Sequence, residues 1–220
     1  MSSGNSIVVT VLSAPVTFGA NYRLFSWKDK PGEAISKQIL HLGESYTFTN
    51  TGSKLITLSS DALQVGGKFD VAVYDSDGSV HNAQFDEKGN VAIPAGGYAI
   101  VTGQSPNPVN ISYTDTITVS TAEHPALLRA SVTKGYSYTY ENTSNETENL
   151  FSDATSGTNE FAYVLRRPDG TILREETSRY STVQVPAGHS ITVAPLTATL
   201  TYGGIYTSFK GTPGDNPTVK

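Results

Sequence analysis

The sequence predicts an all-β protein of two tandem β-sandwich modules of jelly-roll type. The first observation is an internal repeat. Gly43-Glu44-Ser45-Tyr46-Thr47-Phe48-Thr49-Asn50-Thr51 aligns with Gly135-Tyr136-Ser137-Tyr138-Thr139-Tyr140-Glu141-Asn142-Thr143, an interval of 92 residues. At the same interval Ser60-Asp61-Ala62 meets Ser152-Asp153-Ala154, Phe69 meets Phe161, Asp77-Gly78 meets Asp169-Gly170, and Val91–Gly96 meets Val183–Gly188. The second observation is alternation: Phe69, Val71 and Val73 share one parity, and Phe161, Tyr163 and Leu165 share the equivalent one, as in strands with one buried face. The third is punctuation, because 20 glycines and 11 prolines, with Asn, Asp and Ser, break the Val/Ile/Thr/Tyr/Phe runs roughly every eight to twelve residues. Such spacing predicts roughly seven to nine strands per module.

Residues 1–23 have no counterpart in the repeat and read as an N-terminal arm, with Ile7–Leu12 as its strand. The first module is expected over residues 24–115. Within it Ile35, Ile39 and Leu42 fit a helical i, i+4, i+7 pattern across Gly32–Leu42. The matching Pro125–Val132 begins with a proline suited to a first helical turn. A strand or irregular segment is nevertheless the preferred reading of both. Tyr98–Val101 and Ser190–Val193 follow the Pro-Ala-Gly corners as further strands. Ser105-Pro106-Asn107-Pro108 places a stiff join within Gly103–Thr116. The second module then covers 116–207, and 208–220 forms a polar, Gly/Pro-rich tail.

A net charge of −5 without clustered Lys/Arg argues against nucleic acid and anionic membranes as partners. The absence of cysteine removes disulfides, thiolate nucleophiles and thiolate metal sites together. No apolar stretch approaches the ~18 residues of a membrane span, so no membrane insertion is expected. Met1–Asn5 lacks the basic and apolar features of a secretory signal. An extracellular or cell-surface place is favoured if a signal has been removed, and a cytoplasmic one otherwise.

Asp70, Asp75, Asp77 and Asp86 invite a calcium reading, with Asp75 and Asp77 as its centre. The repeat argues against it, because Arg167 and Ala162 replace Asp75 and Asp70 and only the Asp-Gly pair recurs. Asp-Gly between alternating runs signals a hairpin turn. Asp61 and Asp153 are read as Asx turns bonding the backbone two residues on. His41, His81, His124 and His189 share no register, and neither a nucleophile elbow nor a glycine-rich phosphate cradle occurs. The expectation is therefore a non-enzyme with no cofactor. The glycosylation-type triplets at Asn110, Asn142 and Asn145 are read as accidental.

Tyr46/Tyr138 and Phe48/Tyr140 coincide across the copies and are assigned to core-facing strand positions. Trp27 aligns with Val119 and is likewise assigned to the core. Tyr136 aligns with Glu44 and Tyr98 with Ser190, so these two tyrosines stand at polar, exposed positions and are the candidate binding residues.

Gly43–Thr102, with its Gly-x-Ser-Tyr-Thr-Phe, Phe-x-Val-x-Val-Tyr-Asp-x-Asp-Gly and Ile-Pro-Ala-Gly-Gly-Tyr-x-Ile-Val segments, resembles bacterial pre-peptidase C-terminal domains. Gly135–Ala194 resembles them more weakly. The resemblance implies a jelly-roll sandwich with a non-catalytic accessory or binding role, although this chain carries no peptidase. The leading expectation is a tandem β-sandwich protein that recognises a glycan or protein surface. A self-assembling subunit of a fibre, coat or oligomer is the alternative, with Ile7–Leu12 as the strand that would join copies. A hydrolase with a shallow groove between modules comes third.

Overall fold

The computed structural model describes residues 34–154 and 158–214; Ile7–Leu12 and Trp27 lie outside them. The first half comprises β1 (Ile35–Leu40), β2 (Ser45–Asn50), β3 (Ile56–Ser60), the one-turn helix α1 (Ala62–Val65), β4 (Phe69–Tyr74), β5 (Val80–Glu87), β6 (Val91–Ile93), β7 (Tyr98–Gly103), β8 (Val109–Thr114) and β9 (Ile117–Thr121). The second comprises β10 (Leu127–Val132), β11 (Ser137–Asn142), β12 (Glu148–Ser152), β13 (Phe161–Arg166), β14 (Ile172–Ser178), β15 (Thr182–Val185), β16 (Ser190–Pro195), β17 (Leu200–Ile205) and β18 (Phe209–Gly214). Four antiparallel sheets result, of order β1-β8-β3-β6, β5-β4-β7-β2-β9, β10-β17-β12-β15 and β14-β13-β16-β11-β18. The strand order of the second pair is that of the first with nine added to every number. Each pair of sheets encloses its own core, one around Phe48, Phe69 and Ile111 and the other around Tyr140, Phe161 and Tyr202.

Both segments with a helical pattern form strands, as β1 and β10. Two boundaries differ from expectation. β9, placed in the second module by the sequence, pairs with β2 and completes the first sandwich. β18, placed partly in the tail, pairs with β11 and completes the second. A gap-free register measures the interval between copies but carries no information on where either begins. The stiff Ser105–Pro108 segment consequently joins β7 to β8 rather than module to module. Ser105 Oγ accepts from Lys68 N at 3.1 Å, and Asn107 Nδ2 donates to the Val65 carbonyl at 3.1 Å.

Corresponding polar clamps close the two sandwiches. Asn50 is 1% exposed, and its Nδ2 donates to the carbonyls of Lys54, Ile93 and Pro94 while its Oδ1 accepts from Gly52 N. Asn142, fully buried, does the same with the carbonyls of Glu146 and Val185 and with Ser144 N. Such buried amides persist because each polar atom is satisfied. Asn142 is thereby withdrawn from the surface that a glycosylation acceptor needs.

Asp61 and Asp153 do not build the expected local Asx turns. Asp61 accepts from Asn110 N and Asn110 Nδ2, and Asp153 accepts from Thr201 N. Each thus ties the end of β3 or β12 to the start of a strand 48 or 49 residues away. Ala62 and Ala154, the third residues of the same motif, are buried. The aspartate ties the strands while the alanine packs, which accounts for the recurrence.

The sandwiches meet across a third apolar cluster of Ala72, Tyr74, Ala126, Leu127 and Ile205, with Phe85 and Tyr98 beside it. Residues 122–126 form the crossover and are tied on both sides. Ala122 N donates to the Ser45 carbonyl, Ala126 N donates to Thr102 Oγ1, and Tyr206 N donates to the Ala126 carbonyl. The ring of His124 stacks on Tyr206 at 4.2 Å.

Charge fastens the same junction. Asp70 on β4 is fully buried; its Oδ1 accepts from Asp86 N, and Arg129 Nε on β10 lies 3.2 Å from its Oδ2. That last contact is an ion pair whose alignment falls short of a hydrogen bond. Arg129 also reaches Asp86 at 3.2 Å and covers the Phe85 ring at 4.7 Å, while Lys68 reaches Asp86 at 3.1 Å. Asp86 adopts φ +51°, the only positive φ outside glycine among the described residues. These partners hold it in that unfavourable region. Gly203 completes the fit, because a Cβ there would meet the Phe85 ring at 2.6 Å and the Leu128 carbonyl oxygen at 2.8 Å.

Candidate functional site

The junction leaves a groove beside β5, the edge strand of its sheet. Antiparallel partners share a face, so the pairing of β5 with β4 sets the direction of each side chain. Ala83 is opposite Ala72 and faces the second sandwich with Phe85, whereas Asn82 opposite Val73 and Gln84 opposite Val71 face the first core. Register shifts between Phe69/Val71 and Val73/Tyr74 twist the strand, as edges protected from indiscriminate pairing do.

The groove measures about 450 Å³ and has Ser79, His81 and Asn82 on one wall, Glu146, Thr147, Glu148 and Asn149 on the other, and Phe151 and Ile205 at its base. It continues along Ala83–Lys88 past Phe151 as a second depression of about 460 Å³. Phe85 meets Phe151 edge to face at 5.4 Å, so one ring from each sandwich forms the shared base. The far wall is the start of β12 together with the preceding loop, which Asn142 Nδ2 holds through the Glu146 carbonyl. These dimensions lie in the ~300–1,000 Å³ range of small-ligand sites.

Polar side chains line both walls. The Glu148 carboxylate accepts from Ser208 Oγ at 2.9 Å, while Glu146 is exposed. His81 Nδ1 lies 3.2 Å from Asp75. Asn149 supplies a carboxamide, which both donates and accepts.

The candidate tyrosines are placed apart from this groove. Tyr136 is 59% exposed just before β11. Tyr98 is half-buried, stacked on Tyr74 at 4.6 Å and packed against the junction cluster, so its face is already covered. Its alignment with Ser190 implied exposure only if the two sandwiches had equivalent surroundings, and the junction removes that equivalence. Asp77 Oδ1 accepts from Ser79 N and Ser79 Oγ, and Asp169 Oδ1 accepts from Thr171 N and Thr171 Oγ1. These bonds hold both carboxyls below the usual carboxylate range. Asp75 is turned towards His81, and no group of three or more His, Cys, Asp or Glu able to hold a metal occurs among the described residues. Burial raises Asp70 to about 6 against the opposing pull of Arg129.

Sequence reasoning missed Phe85, Phe151, Asn149 and Arg129. One signal was available: where the sandwiches touch, the repeat departs from itself. Asp70, Phe85 and Asp86 correspond to Ala162, Thr177 and Ser178, and Arg129 and Gly203 correspond to Lys37 and Ile111.

No protein-family model and no curated protein sequence matches the chain. Among solved structures, a calcium-binding mutant (D341A, D367A in that protein's numbering) of Bacteroides uniformis beta-glucuronidase 2 matches at 12% identity, with a TM-score of 0.12. A Bacteroides uniformis beta-glucuronidase matches at 11% identity with a TM-score of 0.14. Each alignment covers 84% of this chain and 22% of the glucuronidase. At TM-scores that low the likeness says nothing of fold or chemistry.

Proposed function

We propose that this chain is a non-catalytic tandem β-sandwich protein that recognises a glycan or protein surface through the groove between its sandwiches. The observation that carries the reading is the construction of the groove. Its walls come from different sandwiches, and the buried Asp70–Arg129 pair with the Phe85–Gly203 fit fixes one wall against the other. Preorganisation of this kind lowers the entropic cost of binding. The Asn149 carboxamide beside an aromatic base suits recognition of hydroxyl or peptide groups.

The test uses the full chain on a glycan array and against a displayed peptide library. Asn149 is exposed, so Asn149→Arg blocks the groove without touching a core. At least one ligand class is expected to bind wild type and to lose about tenfold or more in the variant, the equivalent of ~1.4 kcal/mol. Absence of any ligand that depends on Asn149, or turnover of a bound glycan, would overturn the reading.

Self-assembly has one supporting observation. β14 is an edge strand with Ile172 and Leu173 49% and 41% exposed, and unpaired apolar edges invite strand addition. A light-scattering mass above that of one chain, abolished by Leu173→Lys, would support that reading over simple recognition.

A further inference from the structure

On the opposite side of β5 lies a third depression, of about 390 Å³, between the two sheets of the first sandwich. Its floor is Val71, Val73 and Val91, three residues of the first core. Above them stand the carboxamides of Gln84, directly across from Val71, of Asn82, across from Val73, and of Asn90 from the turn before β6. No Asp, Glu, Lys or Arg lines the depression, and its single titratable side chain, His81, is held by Asp75. None of the three carboxamides has a side-chain hydrogen bond among the described residues, although each can donate two and accept two.

The second sandwich shows that this opening is not a requirement of the fold. There Tyr163 occupies the position of Val71, with Glu176 opposite it and Arg174 opposite Leu165. Tyr163 donates to Glu176 at 2.8 Å, and Arg174 pairs with Glu176 at 3.4 Å. Phenol, carboxylate and guanidinium thus bond one another at the corresponding positions. In the first sandwich a valine stands where the tyrosine ring would be, and uncharged amides replace the ion pair.

We infer that this trough is a binding site for a neutral carbohydrate. A carboxamide presents a donor and an acceptor side by side, matching two adjacent hydroxyls. The valine floor offers an apolar surface to the C–H face of a pyranose, and the uncharged lining gives no counter-charge to an anionic or cationic ligand. This deepens the recognition reading by naming a ligand class. It rests on that reading only for the general role, because Asn90 lines no part of the inter-sandwich groove, Gln84 borders only its continuation past Phe151, and Asn149 does not line the trough.

The experiment titrates ¹⁵N-labelled full-length chain with cellotetraose, xylotetraose, mannotetraose and a β-1,4-galactotetraose. At least one is expected to bind and to shift the side-chain NH₂ signals of Gln84 and Asn90. Gln84→Glu and Asn90→Asp, both at exposed positions and checked for unchanged melting, should each weaken that sugar about tenfold, and Asn149→Arg should leave it unaffected. Failure of all four sugars to bind at millimolar concentration would overturn the assignment, as would unchanged affinity in Gln84→Glu. Loss of sugar binding in Asn149→Arg alone would also overturn it, while leaving recognition at the inter-sandwich groove intact. Shifts of these NH₂ signals by library peptides and not by sugars would refute the carbohydrate class.

Discussion

Arg129→Ala tests how the junction is held, and its cost follows from the protonation of Asp70. Removing one partner of a buried ion pair commonly costs ~3–5 kcal/mol, because the other charge is stranded. Asp70 has an escape. It is fully buried with a carboxyl raised to about 6, so at pH 7 it sits one unit above its midpoint. One unit corresponds to ~1.36 kcal/mol between the ionised and protonated folded states. Once Arg129 is gone the carboxyl takes up a proton, and the electrostatic loss is capped near that ~1.4 kcal/mol. The lost cover of the Phe85 ring adds ~0.5–2 kcal/mol, giving about 2–3 kcal/mol at pH 7. At pH 5 Asp70 is already largely protonated in wild type, so the ring contact and the exposed pair with Asp86, which are lost at both pH values, remain the cost. Wild type itself should lose stability through this group as pH rises from about 4 to about 6, because the folded state binds the proton more tightly than the unfolded one. Urea unfolding followed by circular dichroism at both pH values, with Asp70→Asn as the control lacking the proton, measures each quantity. A variant cost that is equal at pH 5 and pH 7, or larger at pH 5, would refute the reasoning.

Asn50→Ala and Asn142→Ala should each destabilise their own sandwich by about 3 kcal/mol, since each removes at least three buried or half-buried hydrogen bonds worth ~1 kcal/mol apiece; a cost below about 1 kcal/mol in urea unfolding would contradict the clamp. Gly203→Ala should cost ~1–3 kcal/mol through the clash with Phe85, and a double-mutant cycle with Phe85→Ala should show clear coupling; additive effects would mean that the ring does not seat on Gly203. Calcium or EDTA should leave the melting temperature of wild type and of Asp77→Ala unchanged, because the Asp77 carboxylate serves its own turn; a calcium-induced rise that Asp77→Ala removes would restore the metal reading.

The sheets were legible because strand periodicity is local. Phe69, Val71 and Val73 alternate, and they line the first core as their parity requires. The Asp-Gly turns were legible for the same reason, since Asp77 bonds a residue only two positions away. Asp61 was misread because its partner Asn110 is 49 positions distant and nothing in a short window points to it. The N-terminal helical pattern lost to tertiary pairing, in which six successive residues from Ile35 to Leu40 match β8. The candidate site was largely illegible. Attention to what the copies share finds cores and turns, whereas Phe85, Arg129 and Gly203 matter where the copies differ. Tyr98 shows the cost of that emphasis: inferred to be exposed from its polar counterpart, it packs against the junction cluster and stacks on Tyr74. The same contrast, applied at Val71 and Tyr163, exposes the amide-lined trough.

The most direct test of recognition without catalysis is an amide-resolved NMR titration of the full chain with a ligand selected for its dependence on Asn149. Shifts should concentrate on Ser79–Ala83 and Glu146–Asn149, which form the two walls of the groove. The ligand should be recovered chemically intact after prolonged incubation. Shifts elsewhere with these walls silent would contradict the account, and so would cleavage products in the recovered ligand.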